Sequence, residues 1–339
     1  GARPHFPAGK RWARDTAETL MTGREKMLAA FTAEGTPEIP VVSCYEGIFI
    51  RDHYAALTRI PWWDQTRPDS LARDFFRASG LEWIGVWECP SRAVRSRQRH
   101  EQRADGVWLI EDGTETRLSE PRPGGTDTDC AHSKHTDLDA LPATPAEMDA
   151  LIPSSPVFDR AAFLEEGRHD TAAAIRKALD PFLYGHIASP IWSLYGLLGY
   201  EGLMVLLAQD PDLASYAGRR LLETATHRIR MISALGADAV WIEECLTDQI
   251  SPGLFQTLNV PLVRHCVREI QACGMKSIYY YCGNPNDRLD AILSVGADAV
   301  HFEESKKGFT IDIADIMARV NGRCVVFGNL DSIDTLQKG

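Results

Sequence analysis

Gly236-Ala-Asp-Ala-Val-Trp-Ile-Glu-Glu244 and Gly296-Ala-Asp-Ala-Val-His-Phe-Glu-Glu304 are near copies of one another. Each opens on a glycine of the kind that closes a helix, runs through a short apolar stretch and stops on two adjacent glutamates. Two βα units of a parallel sheet read this way when both strands deliver carboxylates to the same end. Outward from them, the second half of the chain alternates helix and strand. Leu221, Leu222, Ala225, Ile229 and Ile232 predict a helix over 217–235, followed by a strand at 239–243. A helix over 261–273, with Leu262, Cys266, Ile270 and Cys273 on one stripe, is closed by Gly274 and followed by a β-rich run at 277–282. Asn284-Pro-Asn-Asp opens a helix that turns Leu289, Ile292 and Leu293 inward. A strand at 299–302, a helix around Ile313, Ile316, Met317 and Val320, and a strand at 324–327 complete the series.

The first half is less regular. Thr22-Gly-Arg-Glu25 is a capping box that opens a helix to about residue 33. Strands are predicted at 38–44, at 81–87 before Glu88-Cys89, and at 186–194. Residues 90–180 read as an insertion with a hairpin over 106–118. Residues 119–160 within it are rich in Pro, Gly, Ser, Thr and Asp, which predicts loop or lid. The basic run from Arg92 to Arg103 contains Glu101 and reads as a solvated loop.

Strands and helices alternating at intervals of about 20–40 residues imply right-handed crossovers and a parallel sheet. Nearly unbroken apolar strands imply that both faces are covered. A doubly wound sheet and a TIM barrel both fit. The barrel is preferred because polar residues close nearly every strand: Glu243-Glu244-Cys245, Tyr281-Cys282-Gly283-Asn284, Glu303-Glu304-Ser305 and Gly328-Asn329. The expected fold is therefore α/β, a TIM (β/α)8-type barrel forming one domain over 1–339, with 90–180 inserted after the second strand. Seven parallel strands are counted. The expectation for the eighth is that it is missing with a C-terminal segment, or that the barrel closes irregularly.

The 339 residues are 44% hydrophobic and 24% charged, enough for one large domain or two small ones. The formal net charge of -11 disfavours nucleic acid, whose phosphates call for clustered Lys and Arg. No run of about 18 apolar residues is apparent, so no membrane span is expected, and the N-terminus lacks the apolar core of a signal peptide. Eight cysteines without a CxxC pair give no disulfide framework and point to a reducing cytoplasm. Cys44, Cys89, Cys245 and Cys282 each follow an apolar run. Cys266 and Cys273 fall on a helix and read as core. Cys130-Ala-His132-Ser-Lys-His135 has the residue types of a metal site but no fourth partner and no finger spacing, so a polar loop is the preferred reading.

Six pieces of the chain together resemble the uroporphyrinogen decarboxylase superfamily. They are Thr22-Gly-Arg-Glu-Lys-Met-Leu-Ala-Ala-Phe31, Ile39-Pro-Val-Val42, Gly236-Ala-Asp-Ala-Val240, Ile250-Ser-Pro252, Cys282-Gly-Asn284 and Gly328-Asn-Leu-Asp331. The similarity covers roughly residues 20–60 and 180–339. That superfamily contains the decarboxylase and zinc- and corrinoid-dependent methyltransferases such as methylcobalamin:coenzyme M methyltransferase. In the decarboxylase branch an arginine-rich segment holds the substrate carboxylates. The matching stretch here, Cys44-Tyr-Glu-Gly-Ile-Phe-Ile-Arg-Asp-His53, has one arginine and two acids, a poor cradle for eight carboxylates. The methyltransferase branch places His-x-Cys after the fifth strand, and a later cysteine, on zinc. Here Tyr280-Tyr281-Cys282 keeps the cysteine and replaces the histidine, and the later cysteine would fall beyond Gly339.

The resemblance implies a methyltransferase that moves a methyl group between a small methylated substrate and a corrinoid on a partner protein, with zinc on Cys282, Glu244 and Glu303. Glu244 and Glu303 match acidic positions of the fourth and sixth strands. Alternation lets only one carboxylate of each adjacent pair enter the barrel mouth. Glu244, Glu303 and His53 are the expected catalytic groups, and Tyr45, Arg51, Trp63, Tyr280, Asn284 and Asn329 the expected substrate contacts. Each has a plainer alternative. Cys282 could be an inert core thiol, and the glutamates could pair with Lys306 or Lys307. His53 could be a surface histidine, and Trp62 and Trp63 could be core. Two other functions compete: a metal-independent decarboxylase or lyase for a small carboxylate, which needs Arg51 and Arg92 at the mouth, and a non-catalytic barrel that binds a corrinoid or tetrapyrrole. A homodimer is also allowed for.

Overall fold

The computed structural model describes residues 21–44, 46–64, 66–120, 137–152, 154–305 and 308–331, with 335 and 338. Its strands, in chain order, are β1 (Trp83–Gly85), β2 (Arg99–Arg103), β3 (Gly106–Glu111), β4 (Thr114–Arg117), β5 (Phe182–Ala188), β6 (Ala239–Cys245), β7 (Lys276–Cys282), β8 (Ala299–Phe302) and β9 (Val325–Phe327). Six of them form one parallel sheet in the order β1-β5-β6-β7-β8-β9, and β2, β3 and β4 form a separate antiparallel sheet.

The parallel sheet is strongly curled, as in a TIM-type barrel. At about 4.8 Å per strand, a flat sheet would hold β1 and β9 roughly 24 Å apart. Instead the Trp83 ring of β1 stacks on Phe327 of β9 at 5.8 Å. Phe31, just after the helix Gly23–Ala30, lies 6.2 Å from both Phe182 and Phe327. That helix plugs the amino end of the cylinder with Met27, buried among Trp83, Phe182, Ala239, Ile278 and Ala299. Its start is the predicted capping box: Thr22 Oγ1 accepts from Glu25 N–H, and the Glu25 carboxylate accepts from Thr22 N–H at 2.7 Å.

The two repeated motifs fold alike. Gly236 and Gly296 both take a φ of 78°, a conformation that side-chain-bearing residues avoid. The aspartates two residues on tie neighbouring strands at the amino end. Asp238 accepts from Leu183 N–H at 2.9 Å and from Arg24 and Arg176. Asp298 accepts from the backbone and hydroxyl of Ser277. Helices cover the outer face, and contact is close enough that a Cβ on Gly185 of β5 would lie 2.4 Å from Ile232 Cγ2.

Several expectations are corrected. Residues 38–44 form no strand. They lie beside β1, but Pro40 has no N–H to donate, and side chains take the neighbouring groups. Val41 N–H goes to the Glu82 carboxylate at 2.8 Å, and Ser43 C=O accepts from the Trp83 indole at 2.9 Å. A single backbone bond, Glu82 N–H to Val41 C=O, joins the segment to the sheet's edge. The parallel strands thus number six among the described residues, not seven. The strand placed at 186–194 ends at Ala188, because Ser189 caps a helix, Pro190–Gln209, whose first residue is proline. The basic run is not loop but a short helix, Arg92–Arg97, and β2, in which Arg103 pairs with Glu101 and Glu115. Helix Pro190–Gln209 is, by length and composition, apolar enough to cross a membrane. In the fold it buries Leu194, Leu198, Leu203, Leu206 and Leu207 in the outer core.

Candidate active site

Alternation along the strands sorts the end of the parallel sheet into two populations. Tyr184, Trp241, Tyr280 and Ala299 belong to the cluster inside the cylinder, with Cys44, Cys282 and Phe327 packed against it. Val240, Ile242, Tyr279, Tyr281, Val300 and Phe302 belong to the core between sheet and helices. Counting on from Trp241 carries Glu243 and Cys245 inward. Counting on from Ile242 carries Glu244 outward. The register sets Glu243 opposite Tyr280 and Cys245 opposite Cys282, and pairs Tyr280 with His301.

The inward carboxylate is held by a histidine from the neighbouring strand: His186 Nε2 lies 2.8 Å from Glu243 Oε2. Its other oxygen is 3.8 Å from the Cys245 sulfur, which donates to it. Cys245 and Cys282 are both free thiols, face each other across the β6–β7 register and interact through a thiol hydrogen bond. That contact, with burial, raises the Cys245 pKa and disfavours the thiolate. A third thiol, Cys44, is pushed up to about 11 by burial and by the converging charges of Glu46, Glu304 and Glu243. Glu303, two residues after His301 and just past the end of β8, is buried. A floor of rings lines the same inner face: Trp241, two residues deeper than Glu243, contacts Tyr280 at 5.1 Å, and His301, opposite Tyr280 in the register, lies 4.6 Å from it and 6.1 Å from Phe327. His301 Nδ1 is buried without a hydrogen-bond partner, and burial lowers its pKa to about 4, so the ring is neutral near pH 7.

Glu46 was not singled out in the sequence. Its carboxylate is buried and accepts from Gly85 N–H at 2.5 Å and from Tyr184 OH at 2.8 Å. Burial raises its pKa, and those two donors pull it back down. It fastens the start of the helix Glu46–Leu57 to β1 and β5. An acid heading Gly47-Ile-Phe-Ile50 was the available signal, since a carboxylate among apolar residues needs a partner.

The expected site residues divide. Tyr280, Cys282 and Glu303 come together on the inner rim or its floor. Glu244 does not join them: it is fully buried on the outer side, where Tyr279 OH donates to it at 3.4 Å, and burial pushes its pKa up to about 8. The inner member of that pair is Glu243. His53 sits exposed on the helix Glu46–Leu57 against Phe49 at 4.5 Å, not in a loop at a strand end. Arg51 on the same helix pairs with Asp52 at 2.8 Å. Trp63 packs on His100 of the inserted sheet at 5.5 Å. Asn284 shapes its own turn, accepting from Asn286 N–H, and Asn329 donates to Ile311 C=O at 3.1 Å. Tyr45, the Cys130–His132–His135 group, Lys306 and Lys307 lie outside the described residues.

The zinc set expected on Cys282, Glu244 and Glu303 does not assemble, because Glu244 faces away. The donors that do face Cys282 are the Cys245 thiol and, beyond it, the Glu243 carboxylate. Among the described residues no group of three His, Cys, Asp or Glu side chains is arranged to hold a metal ion.

A family model, Uroporphyrinogen decarboxylase (URO-D), matches residues 118–339. The chain belongs to the URO-D family. The URO-D match spans the whole parallel sheet from β5 onward and with it Glu243, Cys245, Cys282 and Glu303. Among solved structures, a methyltransferase from Methanosarcina mazei is similar to this URO-D protein with a TM-score of 0.59 at 18% identity, covering 94% of this chain and 86% of that one. That likeness establishes the shared fold. No curated protein matches the chain.

Proposed function

We propose that the chain is a methyltransferase that takes a methyl group from a small methylated substrate and passes it to a corrinoid carried on a partner protein. The observation that carries this reading is the make-up of the inner rim. It offers acids, thiols and a Glu243–His186 pair beside an aromatic floor, and among the described residues the inward strand positions at this end hold no arginine or lysine. A decarboxylase for a small carboxylate would need the opposite charge. The arginines once expected to supply it are committed elsewhere: Arg51 to Asp52 and Arg92 to Asp170. Similarity in fold to a methyltransferase agrees with the proposal.

In this reading the corrinoid supplies the nucleophile when bound. The protein's residues bind and orient the donor. Trp241, Tyr280 and His301 close the deep end of the site to water. His186 and Glu243, sharing one hydrogen bond, hold a proton beside the demethylated heteroatom and can pass it there. Zinc, if bound, would draw on the thiols of Cys245 and Cys282 and the Glu243 carboxylate beside them and would supply Lewis-acid activation of the donor.

The test is transfer of isotopically labelled methyl from oxygen, sulfur and nitrogen donors to a reduced corrinoid protein, with metal content counted in the same preparations. Transfer that requires Glu243 supports the proposal. Absence of transfer from every donor class, or release of carbon dioxide from a small carboxylate instead, overturns it.

A further inference from the structure

The inner rim is acidic on several sides. Glu243 lies near the carboxyl end of β6, Glu303 directly follows β8, and Glu46, Glu304 and Glu243 all act electrostatically on the Cys44 thiol. These carboxylates stand beside and above ring systems in mutual contact, Trp241 with Tyr280 and His301. Aromatic faces attract cations, most strongly where water is excluded. One floor group has an open polar position: His301 stands on the inner face opposite Tyr280, and its Nδ1 is buried without a hydrogen-bond partner. It carries no positive charge there that would repel a cation. Acids around a desolvated aromatic floor make a site for a cation too large and too greasy for an ordinary ion pair.

Resting on the methyltransferase reading above, we infer that the methyl donor is a methylated ammonium compound, seated with its cationic head over Trp241 and Tyr280 and its charge met by Glu243 and Glu303. The transfer step balances without a proton. The C–N bond breaks with its electron pair left on nitrogen, so a quaternary ammonium leaves as a neutral tertiary amine. The methyl group passes to the partner's reduced corrinoid, whose electron pair makes the new bond. Glu243 then acts through its charge, and the surrounding rings keep water from competing for the methyl group.

The experiment compares choline with 3,3-dimethyl-1-butanol, its neutral carbon isostere, by calorimetric titration of the whole chain. Choline is expected to bind at least tenfold tighter than the isostere. Glu243→Gln should erase most of that preference, lowering choline affinity far more than isostere affinity, and Tyr280→Leu should weaken both. Glu243→Gln keeps the side-chain shape, so a folding failure of the Tyr280 variant leaves the question answerable. Equal binding of the two compounds, or a preference that survives Glu243→Gln, overturns the inference. Methyl transfer from neutral methoxy donors without an ammonium preference sinks this inference and leaves the methyltransferase reading standing. Ammonium-selective binding with no transfer from any donor sustains the recognition and removes the reading it rests on.

Discussion

Glu243 and Glu244 are joined by one peptide bond and live in opposite environments. Glu243 faces the cylinder's interior, keeps a little solvent contact and is bound to His186 at 2.8 Å. Glu244 faces the helices, is sealed from solvent and is left with one oxygen unpartnered. The first can carry charge and work on a substrate. The second is held as a neutral acid at pH 7, since burial raises its pKa to about 8. A strand's two-residue period, and not the residue type, assigned them these roles. The inner face supplies chemistry and the outer face supplies packing.

The sharpest way to break this contrast is to remove one charge at a time. Glu243→Gln should lower the rate of methyl transfer by roughly 10²- to 10⁴-fold, the usual loss when a positioned acid–base or electrostatic group goes. Its urea unfolding midpoint should hardly move. A large loss of stability with a proportionate loss of activity would show Glu243 to be structural.

Glu244→Gln should do the reverse. With a folded pKa near 8 against 4.5 unfolded, the native state holds a proton that the unfolded chain gives up between those pH values. The wild-type chain therefore loses stability as pH rises from about 4.5 through 8. The amide mimics the protonated acid and removes that loss. At pH 9 the variant should be more stable than wild type by a few kcal/mol, with about 5 as a ceiling from the 1.4 kcal/mol carried by each pKa unit. At pH 4 the two should agree. Unfolding curves at both pH values decide it, and an unchanged difference between them would place Glu244 in contact with water.

Two smaller effects sharpen the same comparison from the scaffold side. Gly185→Ala forces a methyl group toward Ile232 on the outer face. It should cost about 1–3 kcal/mol, as overpacking does, measurable as a lower unfolding midpoint. Thr22→Ala removes one half of the capping box on the plug helix and should cost about 1 kcal/mol. If either abolished ligand binding without lowering stability, the separation of packing from chemistry would fail.

Much of the architecture was readable from the chain. The strand at 299–302 falls where the apolar run predicted it, and those at 239–245 and 276–282 extend the predicted runs by one or two residues, because long buried β-branched and aromatic stretches leave few alternatives. The Thr22 capping box was legible for the same local reason, and so was the presence of one inward acid in the Glu243–Glu244 pair. The strand expected at 38–44 was not recoverable. Whether Val41 and Ser43 join a ladder depends on side chains of Glu82 and Trp83 some forty residues away. Glu46 was missed because its partners, Gly85 and Tyr184, are brought to it only by folding.

Pattern alone, then, determined a parallel α/β sheet, the end of it that carries the polar groups, and the residues from which a site could be drawn. It did so because period, apolar run length and capping are properties of neighbours in the chain. Which glutamate of a pair looks inward, which thiol Cys282 meets, and whether an arginine reaches the mouth were decided by the tertiary structure. Those outcomes depend on strand phase, register and the curl that brings β1 against β9, and each of these is set by contacts between residues far apart in sequence.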